Sequence, residues 1–358
     1  MTIGSDLKTL ETPALWLDMD ILEENIARMA DNMRAARVNW RPHTKGIKIP
    51  AIAKRLLDAG AIGVTCAKIA EAEFMAEAGI KDILIANQVI GDKKIARLVA
   101  VQEKADVMVA VDNVENARQI AAAAQAAGRR IRVLAEINIG MNRAGLTPGQ
   151  PAVDFVAQIA GLDGLDFKGV MGWEGHIVGI PDPVEKDKAG HKAMQALLDT
   201  AERLRTAGFP VEIVSCGGTG SYKIASYAIG VTEIQAGGAV FCDLTYRQWG
   251  AETTPALFVL TSVTSRTVPE RAIVDGGQKT FTSLRLPQAV DLPGAEMTHL
   301  SSEHGVLTLH DQGVDLKVGD KVNFVVGYGD WTVFLHDRLY GVRKGKVETV
   351  WDIPHRVV

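Results

Sequence analysis

The sequence predicts a (β/α)8 TIM barrel followed by an antiparallel β domain. Between about residue 22 and residue 245, short apolar runs alternate with helix-forming stretches. Eight such runs can be counted, the number that closes a parallel barrel. Beyond about residue 250 the period changes to alternating apolar and polar residues with turn residues between them.

The eight runs are VNWRPH (38–43), AIGVTC (61–66), DILIAN (82–87), DVMVAV (106–111), RVLAEI (132–137), FKGVMGW (167–173), VEIVSC (211–216) and EIQAGG (233–238). Stretches between them, such as ILEENIARMADNMRAA and VENARQIAAAAQAAG, place apolar residues at i, i+3 and i+4 among good helix formers. A doubly wound sheet would use fewer strands and open with a glycine-rich turn, whereas the turn after the first run reads RPHTKG. The β domain is drawn from ALFVLTSVTSR, RAIVDGG, GVLTLHDQG, DKVNFVVGYG and RLYGVRKGKVETVWD. The opening TPALWLD is also strand-like and precedes the first barrel helix. The expected division is therefore a barrel over 22–250 and a second domain over 1–21 plus 251–358.

Bulk properties bound the function. The 358 residues are 47% apolar and 23% charged, with a formal charge of −4 spread along the chain. That pattern is an ordinary globular one, with no footprint for nucleic acid or an anionic membrane. Cys66, Cys216 and Cys242 lie far apart with no CxxC pair, as suits a reducing compartment. No signal-like start and no run of 18 apolar residues is present, so a cytoplasmic location is expected.

A barrel gathers its active site at the C-terminal ends of its strands. Those ends supply Arg41, His43 and Lys45; Cys66 and Lys68; Asn87 and Gln88; Asn138 and Arg143; Trp173, Glu174 and His176; Gly217 to Tyr222; and Gly237 to Asp243. The set contains no Ser/His/Asp group and no compact histidine cluster. SCGGTGSY (215–222) and QAGG (235–238) are glycine turns where backbone N–H groups can approach a phosphate, or else tight turns forced by short loops. Lys45 follows the first strand, and an amine near a phosphate site can form a Schiff base. Lys48 and Lys68 are its rivals.

Taken together, RPHTK, EINIGMNRAG, GGTGSY, EIQAGG followed by FCD, and GYGDWTVFLHD resemble a family of fold-type III pyridoxal-phosphate enzymes. That family contains D-threonine aldolase, 3-hydroxy-D-aspartate aldolase and D-serine dehydratase, and the likeness runs in order from TPALWLD to VETVW. The resemblance implies an alanine racemase-like barrel whose Lys45 carries pyridoxal 5'-phosphate. Arg143 would meet the cofactor's phenolic oxygen, and Gly218, Thr219, Gly220, Ser221, Gln235, Gly237 and Gly238 would hold its phosphate. It also implies a homodimer with active sites between subunits and a small amino-acid substrate.

Relatives bind a divalent ion (Mg, Mn or Zn) through a histidine and a following Cys or Asp. Here the segment reads Gly327-Tyr328-Gly329-Asp330, so Asp330 is the expected ligand but tyrosine stands for histidine. A neutral phenol is a poor ligand, since its pKa near 10 keeps it protonated. His336 or His304 could complete a rearranged site, Tyr328 could act as the acid–base group, or both residues could be filler. His176 is a candidate base or a satisfied polar residue, and His43 is expected to pack under the cofactor or orient Lys45. The first functional expectation is a lyase that cleaves a 3-hydroxy-D-amino acid to glycine and an aldehyde. Alternatives are a D-serine or hydroxyaspartate dehydratase, a racemase or epimerase that makes no demand on the β-oxygen, a non-catalytic cofactor carrier, and a sugar- or phosphate-binding barrel enzyme.

Overall fold

The structure is a computed structural model and describes residues 3–310 and 314–354. Two compact units emerge. Of the described residues, one takes those up to Met29, Gly46–Ile49 and those from Gly238 on, and the other takes Ala30–Lys45 and Pro50–Gly237.

The elements begin with β1 (Ala14–Asp18), α1 (Met19–Ala36), β2 (Asn39–Trp40), α2 (Pro50–Asp58), β3 (Val64–Cys66) and α3 (Ile69–Glu77). They continue with β4 (Asp82–Ile85), α4 (Asp92–Val101), β5 (Asp106–Val111), α5 (Val114–Ala126), β6 (Ile131–Ile137) and α6 (Gln150–Ile159). The barrel ends with β7 (Leu165–Gly172), α7 (Pro183–Thr206), β8 (Ile213–Cys216), α8 (Tyr222–Ala225) and β9 (Glu233–Ile234).

Strands β2 to β9 pair in parallel in the order β2-β9-β8-β7-β6-β5-β4-β3. The ring is completed by a parallel bridge from His43 to Thr65, with Thr44 N–H donating to the Thr65 carbonyl at 2.8 Å. All eight apolar runs thus become strands, as the predicted barrel requires. Their continuous hydrophobicity has a physical cause, because both faces are buried. Leu84, Met108, Ala110, Leu134 and Met171 form one cluster, while Ile83, Val107, Val109 and Val133 alternate with them and are equally buried.

Strands β2 and β9 are shorter than their sequence runs. Pro42 has no N–H to give the ladder, and QAGG leaves it for the site. Arg41, taken from the sequence as a strand-end residue of the site, follows β2 directly but sends its side chain to the first residues of β9 and β4, donating from Nε to both Glu233 oxygens at 3.0 Å and from Nη1 to Asp82 at 2.7 Å. Asp82 also accepts from Arg132 at 2.7 Å, and burial of Arg41 is offset by this pairing.

Local chemistry starts the helices. Asp18 accepts from the N–H groups of Asp20 and Ile21, Asn113 from that of Asn116, and Asp182 from those of Val184 and Glu185. The helix after β8 differs from the regular alternation, since α8 lasts only four residues.

The remaining elements are α9 (Leu244–Gln248), β10 (Leu257–Val268), β11 (Arg271–Val274), β12 (Gln288–Ala289), β13 (Ala295–Leu300) and β14 (Gly305–Leu309). They finish with β15 (Lys321–Val325), α10 (Gly329–Thr332), β16 (Arg338–Arg343) and β17 (Lys346–Asp352). Their sheet runs β13-β14-β11-β10-β1-β16-β17, with β15 on β10 and β12 on β15. Strand β1 pairs antiparallel with β10 and parallel with β16, so one parallel ladder sits in an otherwise antiparallel sheet. Trp16 stacks on Phe258 with centroids 4.6 Å apart inside a cluster that includes Leu260 and Val342. The last three residues of the run GVLTLHDQG lie outside the described residues. Among the described residues, no helix is long and apolar enough to cross a membrane.

Candidate active site

Lys45 lies two residues past the bridge at His43 and is part-exposed. Its backbone N–H donates to His43 Nδ1 at 3.2 Å, while His43 N–H donates to the Gln235 carbonyl at 2.9 Å. The QAGG segment runs flush against this stretch. A Cβ on Gly237 would stand 2.0 Å from the His43 carbonyl oxygen, so only glycine fits. On the other side the Thr44 hydroxyl donates to buried Glu71 at 2.5 Å, and Glu71 accepts from the Ala67 N–H at 2.9 Å. Of the rival lysines, Lys48 is buried with Nζ 4.6 Å from the centroid of the Phe334 ring, and Lys68 is exposed just ahead of α3.

The turn after β8 is built around Glu174. This carboxylate accepts from the Ser221 hydroxyl at 2.6 Å and from the Gly217 N–H at 3.4 Å. Burial pushes its pKa up. Ser221 Oγ also accepts from Gly218 N–H at 3.0 Å, and a Cβ on Gly218 would lie 2.3 Å from the Trp173 ring. The backbone N–H groups of Thr219 and Gly220, both buried, donate to no acceptor among the described residues. Buried donors of this kind need a partner, and two adjacent ones suit a phosphate. Gln235 is spent differently, donating to Ser215 Oγ at 2.8 Å.

Arg143, half-exposed, sits 3.8 Å from buried Glu136. Glu136 accepts from Gln88 at 2.6 Å, and Gln88 also donates to Asp112 at 3.0 Å. Burial raises the Glu136 pKa against the opposing pull of Gln88 and Arg143. His176 is exposed on the turn Gly175–Ile177 and covers Gly140, where a Cβ would lie 2.7 Å from its ring. Partial burial lowers its pKa, so the ring favours the neutral form.

Tyr328 and Asp330 belong to the β unit. The Tyr328 hydroxyl donates to one Asp330 oxygen at 3.2 Å, and the Tyr246 hydroxyl donates to the other at 2.9 Å. Asp330 also presses on the chain just after Lys45, since a Cβ on Gly46 would fall 2.3 Å from its Oδ1. Asp243 accepts from the N–H groups of Tyr246 and Gly329, each at 2.7 Å. Burial pushes the Asp243 carboxyl up to about 7 and moves the Tyr328 phenol above its ordinary value. His336 Nε2 is spent on the Thr280 carbonyl at 3.0 Å, and His304 is exposed before β14. Among the described residues, no three His, Cys, Asp or Glu side chains converge as a metal group would. Neither His336 nor His304 joins such a three-residue group.

Glu174, Glu136 and Gln88 carry the cradle and the arginine, although strand-end position alone gave them no role. Tyr246 was missed altogether, because its link to Asp330 spans 84 residues.

A closed parallel barrel with an amine beside its first strand and unspent N–H donors in the turn after β8 is the arrangement that the resemblance to pyridoxal-phosphate barrels leads one to expect. Residues 17–244 match the family described as alanine racemase, N-terminal domain, and residues 256–342 match the putative serine dehydratase domain. The chain belongs to the alanine racemase N-terminal domain family. It is 35% identical over 367 residues to a 3-hydroxy-D-aspartate aldolase of Paracoccus denitrificans (strain Pd 1222), covering 99% of this chain and 94% of the relative. The crystal structure of a D-threonine aldolase from Filomicrobium marinum superposes with a TM-score of 0.95 at 36% identity, covering 99% and 98% of the two chains. A D-threo-3-hydroxyaspartate dehydratase mutant, described as in the metal-free form, gives a TM-score of 0.90 at 28% identity, covering 99% and 100%.

Proposed function

We propose that this chain is a pyridoxal-phosphate-dependent aldolase that cleaves a 3-hydroxy-D-amino acid, of the D-threonine or D-3-hydroxyaspartate type, to glycine and an aldehyde. The observation that carries the reading is likeness along 99% of the chain, at 35 to 36% identity, to enzymes named for that chemistry. In this reading Lys45 holds the cofactor, the N–H groups of Thr219 and Gly220 with the Gly218 and Ser221 turn take its phosphate, and Arg143, tethered by Glu136, faces its phenolic oxygen. Gly237 and Gln235 back the lysine segment, and Gly238 continues that turn.

Bound pyridoxal phosphate supplies an aldehyde for the substrate amine and a ring that accepts the electron pair of the breaking Cα–Cβ bond. His43 fixes the backbone of Lys45 through Nδ1, so a neutral ring keeps its proton on Nε2. His176, whose pKa is lowered by partial burial, takes the β-hydroxyl proton at the barrel mouth in this reading. A second reading, dehydration of a 3-hydroxy-D-amino acid, is favoured by the match of residues 256–342 to the serine dehydratase domain.

The proposal extends to a homodimer, supported by Trp331, Phe334 and Leu335, which expose apolar surface within one short segment. A cytoplasmic location is supported by three buried thiols that form no disulfide.

The test is a product panel with D-threonine and D-3-hydroxyaspartate. Glycine is expected; a keto acid would favour dehydration, and inverted substrate alone would favour racemisation. Protein loaded with the cofactor should show a visible imine band that Lys45→Ala abolishes. An unchanged band in that variant would remove Lys45 from its role.

A further inference from the structure

We infer that the Tyr328–Asp330–Tyr246 hydrogen-bond network occupies the place where the resemblance puts a divalent ion, and that this chain works without one. The residues do not fit the ion. Asp330 is the one conventional hard ligand the motif retains, and each of its oxygens already accepts from a tyrosine hydroxyl. The neighbouring carboxylate, Asp243, spends both oxygens on the backbone N–H groups of Tyr246 and Gly329.

Room is lacking as well as ligands. The Asp330 carboxylate is pressed against Gly46, and the Tyr246 hydroxyl would lie 2.6 Å from a Cβ on Gly238. Tyr328 is wedged among Tyr246, Trp249 and Trp331, with ring centroids 5.6, 5.8 and 5.9 Å away. An imidazole at 328 would bring a nitrogen lone pair, whereas the phenol donates its O–H to Asp330. The network thus stands in the ion's place, giving two phenol hydrogen bonds to Asp330 where the ion would give a Lewis acid.

Manganese binding decides the matter independently of activity. Holoenzyme stripped with EDTA and titrated with Mn²⁺, followed by electron paramagnetic resonance, should show no stoichiometric site, while Tyr328→His should gain one ion per chain. One equivalent of Mn²⁺ bound by the wild type and lost in Asp330→Ala would overturn the inference. So would a Tyr328→His protein with native circular dichroism that gains no site, because the phenol would then not be what excludes the ion.

A second arm rests on the aldolase reading. Glycine formation by the wild type should change less than twofold with EDTA or with added Mn²⁺. A tenfold loss with EDTA, restored by Mn²⁺, sinks metal independence and leaves the aldolase standing. Absence of glycine under every condition sinks the aldolase, and the Mn²⁺ titration still decides the network.

Discussion

Single side chains carry much of what distinguishes this protein, and Asp243 shows how a buried carboxyl reports on its surroundings. It caps the turn of α9 and accepts from Gly329, and burial raises its pKa from an ordinary 3.8 to about 7. The folded chain therefore holds this proton more tightly than the unfolded chain does. The associated stability is full below about pH 4 and is lost as the pH rises through about 7, with a slope of at most ~1.4 kcal/mol per pH unit. Asp243→Asn keeps an acceptor and loses the titration. Urea unfolding at pH 5 and pH 8 should show the wild type losing stability relative to the variant; a constant difference would mean that the carboxyl does not titrate in that window. Glu174 is of the same kind, a buried carboxylate whose value rises with burial. It was visible in the sequence only as the residue after Trp173, because its partner Ser221 is 47 positions away.

Elements were legible where their cause is local. Helix α7 has such a local cause though its start was not singled out from the sequence: Asp182 is the N-cap with Pro183 in the first turn, and the N–H groups of Val184 and Glu185 both donate to the Asp182 side chain. Asp182→Ala should cost about 1 kcal/mol at that end. Amide exchange at Val184 and Glu185 should then quicken by about fivefold, and unchanged protection would show that packing, not the cap, holds the first turn. The eight strands were legible for a different reason. A strand buried on both faces must be apolar throughout, so each run stands out against its polar helices. Lengths were less legible, because β2 and β9 end where their segments turn to the site and α8 stops after one turn.

At the scale of the whole molecule, the barrel is fixed at its N-terminal end by Arg41 with Glu233 and Asp82, which brings β2, β4 and β9 together. Glu233 is 2% exposed, so removing the guanidinium strands a buried charge. Arg41→Met should lose about 3 to 5 kcal/mol, read as a lower urea midpoint for the barrel. A loss below about 1 kcal/mol would mean that the cluster is already relaxed by water. The β sheet makes the same point about long-range partners: β1 pairs with β10 and β16, setting Leu17 beside Leu257 and Trp16 beside Tyr340.

By itself the sequence determined the barrel, the strand-like character of the C-terminal runs, the lysine beside the first strand and the glycine turns, because periodicity, proline and glycine act within a few residues. The tertiary structure alone decided which polar groups meet. It set Glu174 beneath the turn, left the N–H groups of Thr219 and Gly220 unspent, and bound Asp330 between two tyrosines. The pairings of Glu174 with Ser221 and of Asp330 with Tyr246 join residues that no local pattern connects, and burial gives them their energy by making an unmatched polar group costly.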